Sequence, residues 1–511
     1  MRFLILASLL FCSIFAQAQD DPTRDELAPC GTPPGISPWL LEYASRPEDF
    51  AALRSSDTLY AGMQVHLLAR NDGTGRLSPE RLLDAFCRLN TDLGPARVRF
   101  FFKNEWNLIN NTAWHQHPEL TTGIEMMLAN DVPDAQNTYF VSNPAGNAGY
   151  NLPYAGVAMS HGSTNATAHV WAHEIGHAFS LQHTFLGWEG KVYNMANPTP
   201  TFVTYDYTHF HDTIDTQIPA PLDTALVEYV DGSNCAIAAD LICDTKPDYL
   251  SYGWGCDGQG QSLVQQKDPS GATFYSDGTL FLTYSVDDCQ SRFSDEQITV
   301  LRANLLTEHA AWLDPGPPEA DITEPTELLS PTGGQLSPAL GTVLQWTSVP
   351  HATRYLVQVS RFSTFIAKEL DLVTGDTSHV LGQLLPNQNY YWRARPFNDW
   401  YTCTEWTATG TFKAAEVSNT NEPDADGWRC FPTLLVQGQP ITVEWPENWL
   451  GKSARCIMFD AAGRVMWTEE WTPASLKEQF QLPITNWPSG VYRLVFLHEK
   501  GHKSQSAILA N

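Results

Sequence analysis

What this 511-residue chain has least of is positive charge: 30 lysines and arginines stand against 57 aspartates and glutamates, a formal charge of −27. Nucleic acid and anionic membranes both demand a basic footprint, so neither is expected as a partner. Long apolar runs are missing as well. After the first fifteen residues no stretch reaches the roughly 20 residues that a membrane-spanning helix needs. Charged residues make up only 17% and hydrophobic ones 43%, which separates the chain from disordered acidic tails. The acidity then serves solubility.

The first residues read as an address. Arg2 is followed by a mostly apolar stretch, residues 3–15, too short to span a bilayer, and then by Ala16-Gln17-Ala18, a small-x-small cleavage site. Residues 1–18 are therefore expected to be a signal peptide, with the mature chain beginning at Gln19. A lipid-modified Cys12 is the alternative, opposed by the bulky Phe11 before it. Export permits disulfides. Without Cys12, nine of the ten cysteines remain: Cys30, Cys87, Cys235, Cys243, Cys256, Cys289, Cys403, Cys430 and Cys456. An odd number leaves at least one free, metal-bound or intermolecular, and spacing alone does not settle the pairing.

At roughly 100–200 residues per domain, the length suggests about three domains. Two breaks divide it: a stiff Pro-rich run at 314–319 (DPGPPE) and a polar, acidic one at 419–427 (NTNEPDADG). Between residues 59 and 313, element types are mixed. Residues 63–68 (MQVHLL) alternate as a half-buried strand does. Ser78-Pro79-Glu80 opens an amphipathic helix carrying Leu82, Leu83, Phe86 and Leu89. Residues 98–102 and 138–141 read as strands, and a long helix is expected over 166–181. After the first break only short β-branched and aromatic strands occur (343–346, 355–359, 390–394), a β-sandwich pattern. Residues 441–445, 456–459, 465–468 and 491–496 repeat it after the second, with a hairpin turn at 460–463. The fold class expected is thus multidomain, an α/β unit followed by two all-β sandwich-like units.

Chemistry concentrates in His173-Glu174-Ile175-Gly176-His177-Ala178-Phe179-Ser180-Leu181-Gln182-His183. Positions four apart share a helix face, so His173 and His177 can present imidazoles to one cation. Glu174, beside the first of them, can reach a metal-bound water without being a ligand. Catalytic zinc takes three protein ligands plus water; if the helix ends near Ser180 and the chain turns back, His183 supplies the third. His161 and His169 lack the spacing and read as loop or surface residues. A thermolysin-like third ligand would be a glutamate far downstream, and Glu189 is too close for that. Zinc lowers the pKa of its water from 15.7 towards ~7, with Glu174 as general base. The imidazoles must be neutral to bind, so acid should release metal and activity together.

This stretch, with Gly187 after it, resembles the metzincin zinc metallopeptidases and within them the pappalysin-like (cytophagalysin/ulilysin-type) peptidases. Cys235 with residues 240–245 (DLICDT) is similar to that family's cysteine-bearing GDxxCDTP-like segment. Leu282-Thr283-Tyr284-Ser285, then Asp288-Cys289 and Phe293-Ser294, looks like its Met-turn region. The resemblance covers residues 59–313. It implies a metzincin catalytic domain, a mixed sheet plus a zinc-binding active-site helix with a substrate cleft between two lobes. It also implies Tyr284 close to the metal, a Cys256–Cys289 bridge, and a Cys235–Cys243 bridge. Calcium is allowed by it, with no assignable ligands. Two positions depart from the family. Ser180 stands where it has a glycine of positive φ, at a strain cost of ~1–3 kcal/mol if the turn is kept. Leu282 stands where it has the methionine, a swap of similar volume worth less than ~1.5 kcal/mol. Some members keep a pro-segment cysteine on the zinc, which points to Cys30 within a pro-segment of residues 19–58; its alternative is a bridge to Cys87. Arg46 and Arg54 are processing candidates.

Residues 320–415 resemble a fibronectin type III module, with Tyr390 where a tyrosine corner would be; a spacer or binding role is the default. Residues 428–511 resemble the C-terminal sorting domain of type IX secretion, through Phe431-Pro432-Thr433, the 459–463 hairpin, Ser489-Gly490-Val491-Tyr492 and Lys503; the alternative is a second small β-sandwich that binds a surface. Together these imply an endopeptidase made as a zymogen, acting on proteins or peptides, and leaving through the periplasm by the type IX secretion machinery to the medium or cell surface. The reading set against it is a catalytically silent adhesion or scaffold protein that keeps the metzincin fold.

Overall fold

The computed structural model describes residues 30–53, 57–204, 224–314, 320–415 and, in the last part, 428–431, 434–435, 440–460, 464–483, 487, 490–498 and 501–509. The signal peptide, the Gln19 start, Cys12, Arg54, both inter-unit breaks, Pro432-Thr433, the 461–463 turn and Ser489 lie outside these or at their margins. The protein is multidomain and mostly sheet, with few helices.

The first unit begins with α1 (Pro38–Ser45), started by the Ser37 side chain accepting from the Leu40 N–H and by Pro at its first position. α1 buries Trp39, Leu40 and Tyr43 in the same core as the sheet that follows. Strand β1 (Leu59–Ala69) is buried from Ala61 onward, as a strand covered on both faces must be. α2 (Pro79–Asp92) is capped by Ser78, and its Leu82, Leu83, Phe86 and Leu89 are inside. Strands β2 (Val98–Phe102) and β3 (Asn107–Asn110) both pair with β1 in parallel. Then come α3 (Leu120–Asn130), β4 (Gln136–Val141), β5 (Gly149–Leu152) and β6 (Gly156–Ser160). The sheet runs β2-β1-β4-β6-β5, with β5 the one antiparallel strand and its outer edge, among the described residues, unpaired by any strand. Helix α4 (Val170–Ala178) packs beneath β5, and α5 (Asp295–Thr307) closes the unit, begun by a Ser294–Gln297 capping box.

The expected 166–181 helix is shorter at both ends. Asn165 accepts from the Thr167 and Ala168 N–H groups, a turn that holds this stretch out of the helix. At the other end Ser180 takes φ 68°, which no right-handed helix accommodates. Ser180 therefore keeps the left-handed turn despite its Cβ, and its hydroxyl accepts from Asn304 of α5 at 3.3 Å.

Each later unit has a three-stranded and a five-stranded sheet. The middle unit includes Val343–Trp346, Arg354–Ser360 and Asn389–Phe397. There the buried Tyr390 hydroxyl accepts the Leu385 N–H at 2.8 Å, five residues upstream, the arrangement of a tyrosine corner. The last unit includes Ile441–Glu444, Ala454–Asp460, Val465–Trp471 and Gly490–His498.

The middle unit is no loose spacer. A Cys87–Cys403 disulfide ties it to α2. Glu80 meets Lys368 and Arg393 at 2.8 and 2.6 Å, and Asp84 meets Arg395. Trp400 stacks on Phe101 at 4.0 Å, the Phe102 N–H donates to the Asp399 carbonyl, and Leu356 and Phe397 belong to the first unit's core. Cys87 is thus unavailable to Cys30, and that alternative fails. Cys235–Cys243 and Cys256–Cys289 are closed; Cys30, Cys430 and Cys456 are free and buried.

Candidate metal centre

Helix α4 sets His173 and His177 on one face, and the Ser180 turn brings His183 back beneath them. The Leu181 N–H returns to the Gly176 carbonyl at 3.0 Å and fixes that reversal. The three Nε2 atoms converge: His177 Nε2 lies 3.1 Å from that of His173 and 3.1 Å from that of His183. Ligands on a tetrahedral zinc at 2.0–2.1 Å stand about 3.3 Å apart, so the spacing fits. The outer nitrogens are spoken for. His173 Nδ1–H donates to the Phe281 carbonyl at 2.6 Å and His177 Nδ1–H to that of Leu181 at 2.8 Å. Those bonds select the tautomer that turns an Nε2 lone pair inward. Burial lowers His173 to about 4, and burial with the neighbouring His173 lowers His177 well below its usual value. Both rings are therefore neutral, the form a cation requires.

Leu282 lies directly against this helix. A methyl group built on Gly176 would come within 2.9 Å of Leu282 Cδ2 and 3.2 Å of Phe293 Cε1. Gly176 is needed for that close approach. The Thr184 N–H donates to the Leu282 carbonyl, joining the segment below the rings to the His183 loop.

Above the rings lies the segment Cys30-Gly31-Thr32, the leader. Cys30 Sγ and one nitrogen from each of the three histidines lie within 4.8 Å of one another, all buried. The Gly31 N–H donates to the Gly149 carbonyl at 2.9 Å, and Thr32 Oγ1 accepts from the Asn151 N–H at 2.8 Å. The leader therefore takes up edge hydrogen bonds of β5 that would otherwise be open to another chain. Thr32 Oγ1 donates to Glu174 Oε2 at 3.0 Å, and the Cys30 thiol lies 3.6 Å from the same oxygen. Burial pushes Glu174 up to about 8, and Thr32 and Cys30 pull against it. Burial, then Glu174, push the Cys30 thiol up; only a cation among the rings would hold it as thiolate. The buried Tyr284 hydroxyl donates to the Cys30 carbonyl at 3.2 Å, its ring 5.0 Å from that of His183. The Cys256–Cys289 bridge braces the Tyr284 segment, where Trp254 N–H meets the Tyr284 carbonyl.

No family profile and no curated protein match this chain. Among solved structures it is similar to a mutant of promirolysin from Tannerella forsythia, 13% identical, over 53% of this chain and 89% of that one, with a TM-score of 0.37. It is also similar to the sixth fibronectin type III domain from human fibronectin type III domain containing protein 3, 12% identical, over 20% of this chain and 97% of that one, with a TM-score of 0.16. Likenesses this distant carry no argument about activity, which rests on the donor set itself.

The structure thus gathers Cys30, His173, Glu174, His177, His183 and Tyr284 at one place, with Leu282 behind them. Cys235–Cys243 lies apart, where Cys243 N–H donates to Glu296 at the start of α5. Among the described residues no second group of three or more His, Cys, Asp or Glu side chains is gathered. His161 and His169 do stand on loops, but neither is a surface residue. His169 Nδ1 meets Asp92 of α2 at 2.9 Å, and burial lowers His161 to about 4. Two residues at the site escaped the sequence reading. Thr32 is separated from Glu174 by 142 positions, and nothing local marks it. Glu189 stood close to the motif and was weighed only as a ligand.

Proposed function

We propose that this protein is a secreted zinc endopeptidase made as a zymogen. Residues 59–313 form its metzincin-type catalytic domain, 320–415 a fibronectin type III-like module and 428–511 a type IX sorting domain, behind a signal peptide at 1–18. The observation that carries this is the convergence of three imidazole nitrogens beside a buried carboxylate that is not one of the cation-binding group. His173, His177 and His183 would hold zinc, which supplies Lewis acidity and acidifies water when bound. Glu174 Oε2, beside the cluster, would be the group that accepts a proton from attacking water and hands it to the leaving amine. The open edge of β5 would orient a substrate backbone along Gly149 and Asn151 once residues 30–32 leave. Tyr284, freed from the Cys30 carbonyl, would have its hydroxyl available for the oxyanion. Until then Cys30 would offer the ion a fourth donor and Thr32 would tie up the base, which would keep the chain latent.

The test combines zinc stoichiometry with casein cleavage, on the full chain and on a chain trimmed after residue 58. One zinc per chain, with activity on trimming that chelator and Glu174→Gln both abolish, supports the proposal. Zinc without turnover after trimming makes the protein the silent scaffold instead. A chain that takes up no zinc refutes both.

A further inference from the structure

The three rings are not held alike. His173 and His177 give their outer N–H to backbone carbonyls, whereas the outer nitrogen of His183 faces a carboxylate. His183 Nδ1 lies 3.5 Å from Glu189 Oε1, and both side chains are only 4% exposed. The other oxygen, Oε2, is anchored by the Gly187 N–H at 2.6 Å. Oε1 has no hydrogen bond of normal geometry. A buried carboxylate oxygen left this way is costly, and the nearby charge it can serve is a ring that becomes more positive when a cation binds its far side. Gly187 has φ 95°, and a Cβ there would come within 2.8 Å of Ala225 and Val203. Glycine is thus needed at the turn that brings Glu189 to His183.

We infer that Glu189 is a positioning residue for zinc. Its carboxylate fixes the tautomer of His183 and makes that ring the most strongly donating of the three. The inference rests on the reading that the three imidazoles hold the ion. A carboxylate behind a ligating imidazole raises its basicity, and losing such a partner typically weakens metal binding about 10–100-fold. Backbone carbonyls behind the other two rings fix direction but carry no full charge, so the third ligand is the adjustable one.

The test measures zinc affinity by competition with a fluorescent chelator, on the full chain and its variants, alongside the melting temperature of the chelator-treated protein. Glu189→Gln keeps an oxygen to accept the Gly187 N–H and removes only the charge. It is expected to bind zinc about 10–100-fold more weakly with the metal-free melting temperature unchanged. It should also shift the visible absorption of the cobalt-substituted protein. Glu189→Asp, which retains the charge, recovers part of the affinity and carries the question if the amide variant does not fold. Zinc affinity within twofold of wild type in Glu189→Gln overturns the inference and reduces Glu189 to a staple for the Gly187 turn. A wild-type chain that takes up no zinc overturns the proposed function together with it.

Discussion

The two outer edges of the first unit's sheet are both covered, and by opposite means. At β5 the cover is the leader: Gly31 and Thr32 make two hydrogen bonds to the strand, and Thr32 one more to Glu174. At β2 the cover is the middle unit, held by a disulfide, ion pairs at Glu80 and Asp84, and the Trp400–Phe101 stack. A few hydrogen bonds can be exchanged for those of another extended chain with little net change. A covalent tie with buried aromatic packing cannot. On the proposed function, the same sheet would have one edge that is vacated and one that stays closed, and the cluster of Cys30 and the three histidines lies under the first.

The sharpest way to break this comparison is at the base. In the trimmed chain, Glu174→Gln should lower peptide hydrolysis about 10²–10⁴-fold while zinc stays bound, measured with a quenched fluorescent peptide. Next comes the removable cover itself. Thr32→Val deletes one hydrogen bond to a buried carboxylate, worth ~1.5–3 kcal/mol. Basal activity of the untrimmed chain should rise about ten- to a hundredfold, and Cys30→Ala should raise it further. Unchanged activity in both variants would mean that the leader does not gate the cleft. At the permanent edge, Cys87→Ser with Cys403→Ser should cost about 2–5 kcal/mol of stability, read as a lower urea midpoint. The trimmed form of that variant should still cleave peptide; if it does not, the two edges are not independent.

Two smaller effects test the frame between the edges. Burial, then Asp240, push Glu228 up to about 9, and Asp240 is also raised well above its usual range. An acid whose pKa is higher folded than unfolded stabilises while protonated. Stability should therefore fall as pH climbs from about 4.5, the ordinary glutamate value, towards about 9. Glu228→Gln should flatten that slope in melts taken across this range. The smallest effect is expected at Ser180: replacing it by glycine relieves the positive φ, worth ~1 kcal/mol, against loss of its contact with Asn304. The net change in melting temperature should be small and upward.

Local chemistry was what the sequence disclosed. The Ser78-Pro79 start of α2, the 98–102 strand and the imidazole spacing all follow from residues within one or two turns of each other. The place of Leu282 below the rings, the position of Tyr284 and the strain at Ser180 came through family resemblance instead of spacing. What stayed hidden was long-range. The Cys87–Cys403 pair spans 316 positions, the Thr32–Glu174 contact 142, and the His169–Asp92 pair 77. No periodicity reports on such distances. Helix α4 was overestimated for the same reason: its start is set by the Asn165 turn and by Asp287 accepting the His169 N–H, a partner more than a hundred residues away.

The span of that first link has a consequence for how the molecule is born. Cys403 is made 316 residues after Cys87, so through that stretch of synthesis α2 carries an unmatched thiol. The N-terminal unit receives its last covalent fastening only once nearly four-fifths of the 511-residue chain has been made, and whatever oxidises this protein must wait for that moment.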